Sequence, residues 1–190
     1  KGTRTFVANG FECKILTDST VSISRMPVAY LTDAVTDSVF HIPAFVEYDG
    51  KTYQVREIAE RGFIGNNNIK HLVIDEGIKA INFRAFICCY NLESVRIPAS
   101  LSFIDHDIFG GCHNLKSIVV NPANKVFDSR DNCNAIIETE FNILVAGCGG
   151  SSIPSSVTTI GEAAFASCRF LESITIPEGV TQIRESAFSG

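Results

Sequence analysis

The sequence lacks the features that mark membrane-spanning and nucleic-acid-binding proteins. It has no stretch of about 18 consecutive apolar residues, so it contains no candidate transmembrane helix. It has no run of Lys or Arg, and its formal net charge is −5. Because binding to DNA or RNA needs a basic surface, this charge disfavours a nucleic-acid partner. With 190 residues and 45% hydrophobic content, the chain is long enough to bury a full core.

The sequence also lacks the motifs of catalysis and metal binding. There is no Gly-x-Ser-x-Gly phrase, no Cys-x-x-Cys pair and no His-x-x-x-His pair. A stretch rich in oxygen side chains, 128–134, fails the spacing of a calcium loop because Arg130 replaces a ligand, and turn formation explains it better. The histidines do not recur at a regular interval in the sequence; they are His41, His71, His106 and His113. We therefore expect no catalytic residue, no metal site and no cofactor, and an enzyme is the disfavoured interpretation.

A phenylalanine returns at a fixed interval along the chain. Phe63, Phe86 and Phe109 are 23 residues apart, as are Phe165 and Phe188. A period in the twenties is typical of a stack of similar turns, each of which buries its apolar face against its neighbours. We therefore expect one elongated domain in which the phenylalanines form a continuous buried column.

The residues around each phenylalanine follow a strand pattern. From Leu92 the chain reads Leu-Glu-Ser-Val-Arg-Ile-Pro, and a similar phrase starts at Leu171. Successive strand side chains alternate between two faces, so the apolar residues point inward and the residues between them point outward. Pro98, Pro154 and Pro177 follow the strands and help to end them, because proline has no amide hydrogen.

This pattern resembles the BspA-like, or Treponema-type, leucine-rich repeat, whose consensus is similar to Leu-x-x-Ile-x-Ile-Pro-x-x-Val-x-x-Ile-Gly-x-x-Ala-Phe-x-x-Cys. Residues 148–168 match it at Ile153, Pro154, Val157, Ile160, Gly161, Ala164, Phe165 and Cys168. The resemblance covers about 39–190. It implies a leucine-rich-repeat solenoid, a β-rich right-handed superhelix with a parallel concave sheet and few or short helices. It also implies a bacterial secreted or cell-surface protein, because most family members are of that kind and several look like adhesins.

Two segments near the N-terminus predict additions to the repeat. Residues 1–38 do not fit it, and alternating apolar residues at 11–15 and 21–23 predict a β-hairpin that caps the first turn. Within the repeat domain, 39–190, an Asp-Gly pair flanked by alternating apolar residues predicts a hairpin insertion near 44–54.

A third addition lies between Phe109 and Phe165. Their separation exceeds two periods by ten residues, which predicts an enlarged irregular repeat near 121–150 with a hairpin around 138–142. An insertion of this kind projects from one face and often carries recognition, although a variant turn without a partner is at least as good an interpretation.

The seven cysteines divide into a repeated set and a remainder. Cys89, Cys112 and Cys168 each stand three residues after a phenylalanine, and we expect them to form a buried row of free thiols. Cys133 and Cys148 are the best candidates for a disulfide, although sequence alone does not fix the pairing.

The two ends of the chain bear on targeting and assembly. The sequence begins without Met and ends one residue before the cysteine that the repeat predicts. We expect a signal and an anchor to lie outside this chain. For the uncapped C-terminal end, one interpretation is that the native chain continues, and the other is that this end packs against something, with self-association as one mode.

The outward strand positions are the candidate binding residues. They are Val73, Arg96, Val119, Ser152 and Thr175, with the flanking residues His71, Glu93, Lys116 and Glu172. A parallel sheet repeated along a solenoid gives a broad concave surface that suits a protein better than a small molecule. One interpretation is a non-enzymatic protein–protein interaction module of an extracellular or cell-surface protein, used in adhesion to host cells or extracellular matrix. The other is a structural spacer or assembly module that displays another domain and has no ligand of its own.

Overall fold

The chain is built almost entirely of strands and turns. The computed structural model describes residues 4–25 and 36–190. Within these ranges, the only helical element is a 3-10 turn, Arg130–Asn132, so the predicted scarcity of helix is confirmed. Part of the segment predicted as an N-terminal cap, 26–35, lies outside the described residues. The cap and the right-handed superhelix stay predictions.

The first sheet has seven strands and contains the N-terminal hairpins. Its antiparallel part consists of β1 (Thr5–Ala8), β2 (Phe11–Ile15) and β3 (Thr20–Arg25). The next strand along the chain, β4 (Thr36–Ile42), belongs to the second sheet. It is followed by β5 (Phe45–Tyr48) and β6 (Lys51–Ile58), which belong to the first sheet. β5 and β6 form an antiparallel hairpin whose turn, Asp49-Gly50, has positive φ at both residues, as a tight hairpin turn requires. β6 also pairs in parallel with β3 on its other edge.

The remaining strands of the first sheet and the second sheet come from the regular repeats. In chain order they are β7 (Ile69–Ile74), β8 (Ala80–Ile81), β9 (Ser94–Ile97), β10 (Phe103–Ile104) and β11 (Ser117–Val120). β6, β8 and β10 are parallel neighbours in the first sheet. β4, β7, β9 and β11 form a four-stranded parallel sheet, which confirms the predicted parallel pairing of the repeats. The repeat that contains β7 and the repeat that contains β9 therefore each give one strand to the second sheet and the following short strand to the first sheet.

The third sheet contains the enlarged repeat. Its five strands are β12 (Phe127–Asp128), β13 (Ile136–Glu138), β14 (Ile143–Ala146), β15 (Thr159–Ile160) and β16 (Gln182–Ile183). The first two pairings are antiparallel, and the last two are parallel. The chain thus leaves the repeat for one antiparallel excursion and then returns to it.

The phenylalanines stack, but their column is interrupted. Ring centroids lie 5.3 Å apart from Phe63 to Phe86 and 5.8 Å apart from Phe86 to Phe109. Between Phe109 and Phe165 the backbone position is taken by Gly147, whose amide donates to the Ala164 carbonyl. A side chain there would meet the Phe165 ring at 2.2 Å. The expectation of one continuous column is therefore wrong, and the core divides into two clusters.

The last phenylalanine is also not a core residue. Phe188 stacks on Phe165 with a centroid distance of 5.1 Å, and it is 38% exposed. The expectation that it is buried like Phe63 and Phe86, each 1% exposed, is wrong.

A left-handed residue precedes each phenylalanine by two positions. Apart from Asp107, none of these residues is of a type that commonly adopts positive φ, so the sequence does not identify the other four. Their φ values lie between 53° and 56° at Arg61, Arg84, Asp107, Ala163 and Ser186.

Candidate binding face

The parallel sheet of β4, β7, β9 and β11 presents one side to solvent. In β9 and β11 the burial alternates, with Val95 and Ile118 inside and Arg96 and Val119 outside. The register aligns Val73 with Arg96 and Arg96 with Val119. Three of the residues predicted from the sequence therefore form a continuous row on what is here called the outer sheet face.

A second row runs beside the first on the outer sheet face. It contains Val39, His71, Ser94 and Ser117 in register, and His71 Nδ1 lies 2.7 Å from Ser94 Oγ. Val39 is 53% exposed. This row includes the predicted flanking residue His71.

β4 adds residues that sequence reasoning did not select. His41 aligns with Val73, and its Nδ1 lies 2.8 Å from Asp75 Oδ1. The sequence pattern around Phe40 identified a first repeat strand, and continuing the alternation to Val39 and His41 would have identified both residues.

A groove of about 430 Å³ crosses the outer sheet face at the C-terminal ends of the strands. The residues that line it include Val73, Asp75, Glu76, Arg96, Val119 and Asn121. The Glu76 carboxylate accepts hydrogen bonds from the backbone amides of Ala99, at 2.7 Å, and Ser100, at 3.1 Å. It also accepts one from the Asn121 side-chain amide, at 3.3 Å.

Arg96 is the cation of this groove. It is exposed, and in the part of the chain that the structure describes no carboxylate or carbonyl oxygen holds its guanidinium. The two acids beside it are engaged, Asp75 with His41 and Glu76 with the amides of the next repeat. Arg96 therefore has its hydrogen-bond donors available for a ligand.

The flanking residues Glu93 and Lys116 lie on consecutive turns of the repeat. The amide of Glu93 donates to the Lys70 carbonyl, and the amide of Lys116 donates to the Glu93 carbonyl. The same position of consecutive turns thus carries opposite charges, Glu93 and then Lys116.

Ser152, Thr175 and Glu172 do not belong to this face. The predicted strands around them are absent, since 151–154 and 171–177 form no ladder. The amide of Ser152 donates to the Cys133 carbonyl of the enlarged repeat rather than to β11. Ser152 and Thr175 line a separate depression of about 360 Å³.

Ser129 explains why the parallel sheet ends at β11. The Val120 amide donates to Ser129 Oγ at 3.1 Å, and that hydroxyl donates to the Ala135 carbonyl at 2.7 Å. The enlarged repeat therefore satisfies an edge amide that the next parallel strand would otherwise bind.

An ordered side-chain network holds the enlarged repeat. The Arg130 guanidinium donates to both Asp128 oxygens, at 2.8 and 2.6 Å, and to Asn142 Oδ1. Partial burial raises the pKa of Asp128, but the hydrogen bonds from Arg130 and Thr139 outweigh this and lower the pKa below its ordinary value. Asp128, Arg130, Thr139 and Asn142 thus bind one another and hold the shape of this segment.

The cysteines are free thiols in the described structure. Cys89 Sγ donates to the Phe63 carbonyl at 3.2 Å, and Cys112 Sγ donates to the Phe86 carbonyl at 3.1 Å, so these two cysteines bind the preceding turn. Cys168, the third residue of the predicted row, is only half-buried, so the expectation of burial is wrong at that position. Cys133 and Cys148, the candidate disulfide pair, donate to different carbonyls, those of Ala135 and Asn134.

The described ranges contain neither a metal-binding cluster nor a membrane-spanning helix. No group of three or more His, Cys, Asp or Glu residues within 4–25 and 36–190 is arranged to hold a metal ion. No helix in those ranges is long and apolar enough to cross a membrane.

The stacked strands, the repeated phenylalanine turns and the parallel sheet define a leucine-rich-repeat protein. The family model described as the BspA-type leucine-rich repeat region matches six copies, at residues 47–143 and 148–190. The chain belongs to that family, as the sequence pattern indicated. None of the curated proteins matches the chain.

Solved structures share this fold. A leucine-rich repeat protein from Bacteroides ovatus is 24% identical with a TM-score of 0.61, over 97% of this chain and 50% of that protein. The T. pallidum leucine-rich repeat protein is 20% identical with a TM-score of 0.58, over 95% of this chain and 81% of that one. A leucine-rich repeat protein from Bacteroides capillosus is 25% identical with a TM-score of 0.54, over 63% and 83%. The chain thus spans half the length of the B. ovatus protein.

Proposed function

We propose that this chain is a non-enzymatic protein-binding module and that the outer sheet face is its contact surface. The observation that carries the proposal is the groove in which half-buried Val73 and exposed Val119 flank Arg96, whose guanidinium has no partner among the described residues. Arginine and well-placed apolar groups dominate the energetics of protein interfaces, because they combine directed hydrogen bonds with removal of apolar area from water.

The setting we propose is the bacterial cell surface or the extracellular space, with adhesion to host cells or matrix as the role. Membership of the BspA-type family supports this proposal, because the proteins that the sequence resembles are mostly secreted or surface-anchored. The partner is proposed to be a protein, since a broad sheet face suits an extended contact.

Binding to an immobilised panel of matrix proteins, host-cell surfaces and glycans tests the proposal. Arg96→Glu and Val119→Asp are expected to weaken saturable binding at least about tenfold, as loss of an interface hot spot does. Matched controls are Arg61→Glu, an exposed arginine outside the groove, and Val7→Asp, on β1 of the first sheet. Both should bind like the unmodified chain.

Two results would count against this use of the outer sheet face. Saturable binding that both face variants retain would move the contact to another surface. A folded chain that binds nothing in the panel would favour the spacer function.

The spacer and assembly alternative has its own support. Ile176, Ile183 and Phe188 are 44%, 50% and 38% exposed on the last turn, which is an apolar surface able to pack against another repeat or a second copy. Sedimentation of the chain across a range of concentrations tests self-association, and Phe188→Ser should reduce it. A monomer at every concentration would contradict this mode of assembly.

A further inference from the structure

The charges in the groove are arranged in a fixed order along the strands. Arg96 belongs to the row of Val73 and Val119, whereas Asp75 lies two residues after Val73 in the chain. A strand rises 3.2–3.4 Å per residue, so the cationic row and the acidic row are about 7 Å apart. Glu76 adds a second carboxylate at the acidic end of the groove.

An extended polypeptide has the same spacing between side chains on one side. Its residues i and i+2 point the same way and are also about 7 Å apart. Asp75 follows β7 and Arg96 belongs to the neighbouring strand β9, so a segment that runs along the strands between β7 and β9 can place one side chain beside Arg96 and the next but one beside Asp75 and Glu76. The valines on both sides of Arg96 give such a segment apolar contact.

The chemistry of each end selects a residue type. The unheld Arg96 guanidinium favours a carboxylate, which it can bind with two parallel hydrogen bonds. Asp75 and Glu76 accept bonds from His41, Ala99 and Ser100, but each carboxylate has further lone pairs able to accept from a cation. The acidic end thus favours Lys or Arg and disfavours a second carboxylate.

We propose that the groove binds an extended segment of a partner protein that carries an acidic residue two positions away from a basic one. This inference rests on the proposed function, because it specifies the ligand of the same face. The acidic residue binds Arg96, the basic residue lies over Asp75 and Glu76, and an apolar residue packs on Val73 or Val119. Opposite charges at both ends fix the register of the segment in the groove.

Selection from a library of random linear peptides tests this inference. The unmodified chain is expected to enrich peptides with an acidic and a basic residue two positions apart. Arg96→Glu should replace the acidic preference with a basic one. Arg61→Glu and Val7→Asp, the controls outside the groove, should leave the selected pattern unchanged.

A charge exchange on one selected peptide gives the quantitative test. Arg96→Gln should weaken binding at least about tenfold. Arg96→Glu should bind the original peptide still more weakly, and it should regain affinity when the acidic residue of the peptide is changed to Lys. Circular dichroism and the urea midpoint of each variant show whether it is folded.

The outcomes separate this inference from the proposed function. One outcome would overturn the inference and leave the outer sheet face as the binding surface. In that outcome the selected peptides bind Val119→Asp weakly, bind Arg96→Gln as well as the unmodified chain, and show no preference for an acidic residue. A selection that enriches no peptide sensitive to Val119→Asp also overturns it, whereas the proposed function is decided separately by the protein panel.

Discussion

Phe63 and Phe86 show what a repeat phenylalanine does when turns lie on both sides. Each ring is 1% exposed and packs against the ring of the next repeat, so one residue connects two turns. Phe188 has the same sequence context, but only Phe165 covers it. Burial of this residue type therefore depends on the neighbouring turn rather than on the local phrase.

Truncation of these two rings should have unequal costs. Phe86→Ala is expected to lower the free energy of unfolding by about 3–5 kcal/mol, because it leaves a cavity between two turns. Phe188→Ala should cost no more than about 2 kcal/mol, since its ring is already partly in water. Urea unfolding followed by circular dichroism measures both. Equal losses of unfolding free energy would contradict the difference in burial between Phe86 and Phe188.

The thiols are protected by burial rather than by disulfides. Desolvation raises the pKa of Cys13 to about 11 and that of Cys168 to about 12, where nearby Cys148 and Cys112 add to the effect. Burial likewise raises the pKa of Cys112 well above its ordinary value. Because the thiolate is the nucleophile, a raised pKa leaves little reactive form at neutral pH.

Alkylation of the native chain should therefore be selective. Cys88 and Cys168 are both half-buried, but the pKa of Cys168 is raised, so we expect Cys88 to react first with iodoacetamide at mildly alkaline pH and Cys13, Cys112 and Cys168 to react slowly. Peptide mass spectrometry measures the order of labelling. In denaturant without reductant, all seven cysteines should be labelled. Fewer than seven would show that a disulfide exists, and rapid native labelling of Cys112 would contradict its burial.

At the level of elements, the enlarged repeat ends the second sheet at β11 and supplies the first strands of the third sheet. It supplies Ser129 to the edge of β11 and places Gly147 where a phenylalanine would stand. Gly147 leaves the space that the Phe165 ring fills. The second core cluster therefore contains Phe165 together with residues of the enlarged repeat such as Cys133 and Leu144.

Two glycines of this element offer a matched comparison. Gly147→Ala should lower the free energy of unfolding by about 1–3 kcal/mol, because the new methyl group would meet the Phe165 ring at 2.2 Å. Gly149→Ala meets the Leu115 carbonyl only at 3.6 Å and should leave stability unchanged or raise it by up to about 1 kcal/mol. Thermal unfolding of both variants checks the pair. A tolerated Gly147→Ala would contradict the close approach of Phe165.

Across the whole molecule, the two core clusters differ in size and in cover. The larger cluster contains buried residues from Phe6 to Cys148, and the smaller contains buried residues from Cys133 to Ala187. The residues that pack against the edge of the smaller cluster, Leu171 and Val180 among them, are half-buried. In a repeat array each turn is stabilised mainly by its neighbours, so a smaller and less covered cluster opens more easily.

Native-state hydrogen exchange should separate the two clusters. We expect the amides of β9 to exchange at least about tenfold more slowly than those of β16, because a lower opening free energy raises the exchange rate. Phe86→Ala should accelerate exchange in β9 more than in β16. Uniform protection across both clusters would instead indicate that the chain opens as one cooperative unit.

The regular part of this protein was largely determined by the sequence alone. The interval of 23 residues, the strand phrase and the Asp-Gly turn follow from local periodicity and backbone preference. They led to the parallel pairing, the scarcity of helix and the row of Val73, Arg96 and Val119. These features repeat from turn to turn, so each copy of the pattern carries the same information.

Only the tertiary structure decided where the parallel sheet of the repeats ends. Ser152 and Thr175 match the repeat in sequence, but Ser129 and the segment around Cys133 occupy the edge of β11 that their strands would need. Phe188 matches as well, yet it is 38% exposed, whereas Phe63 is 1% exposed. The state of the Arg96 guanidinium is likewise a property of its three-dimensional surroundings. Burial, edge pairing and charge pairing depend on residues distant in the chain, and a local pattern does not encode them.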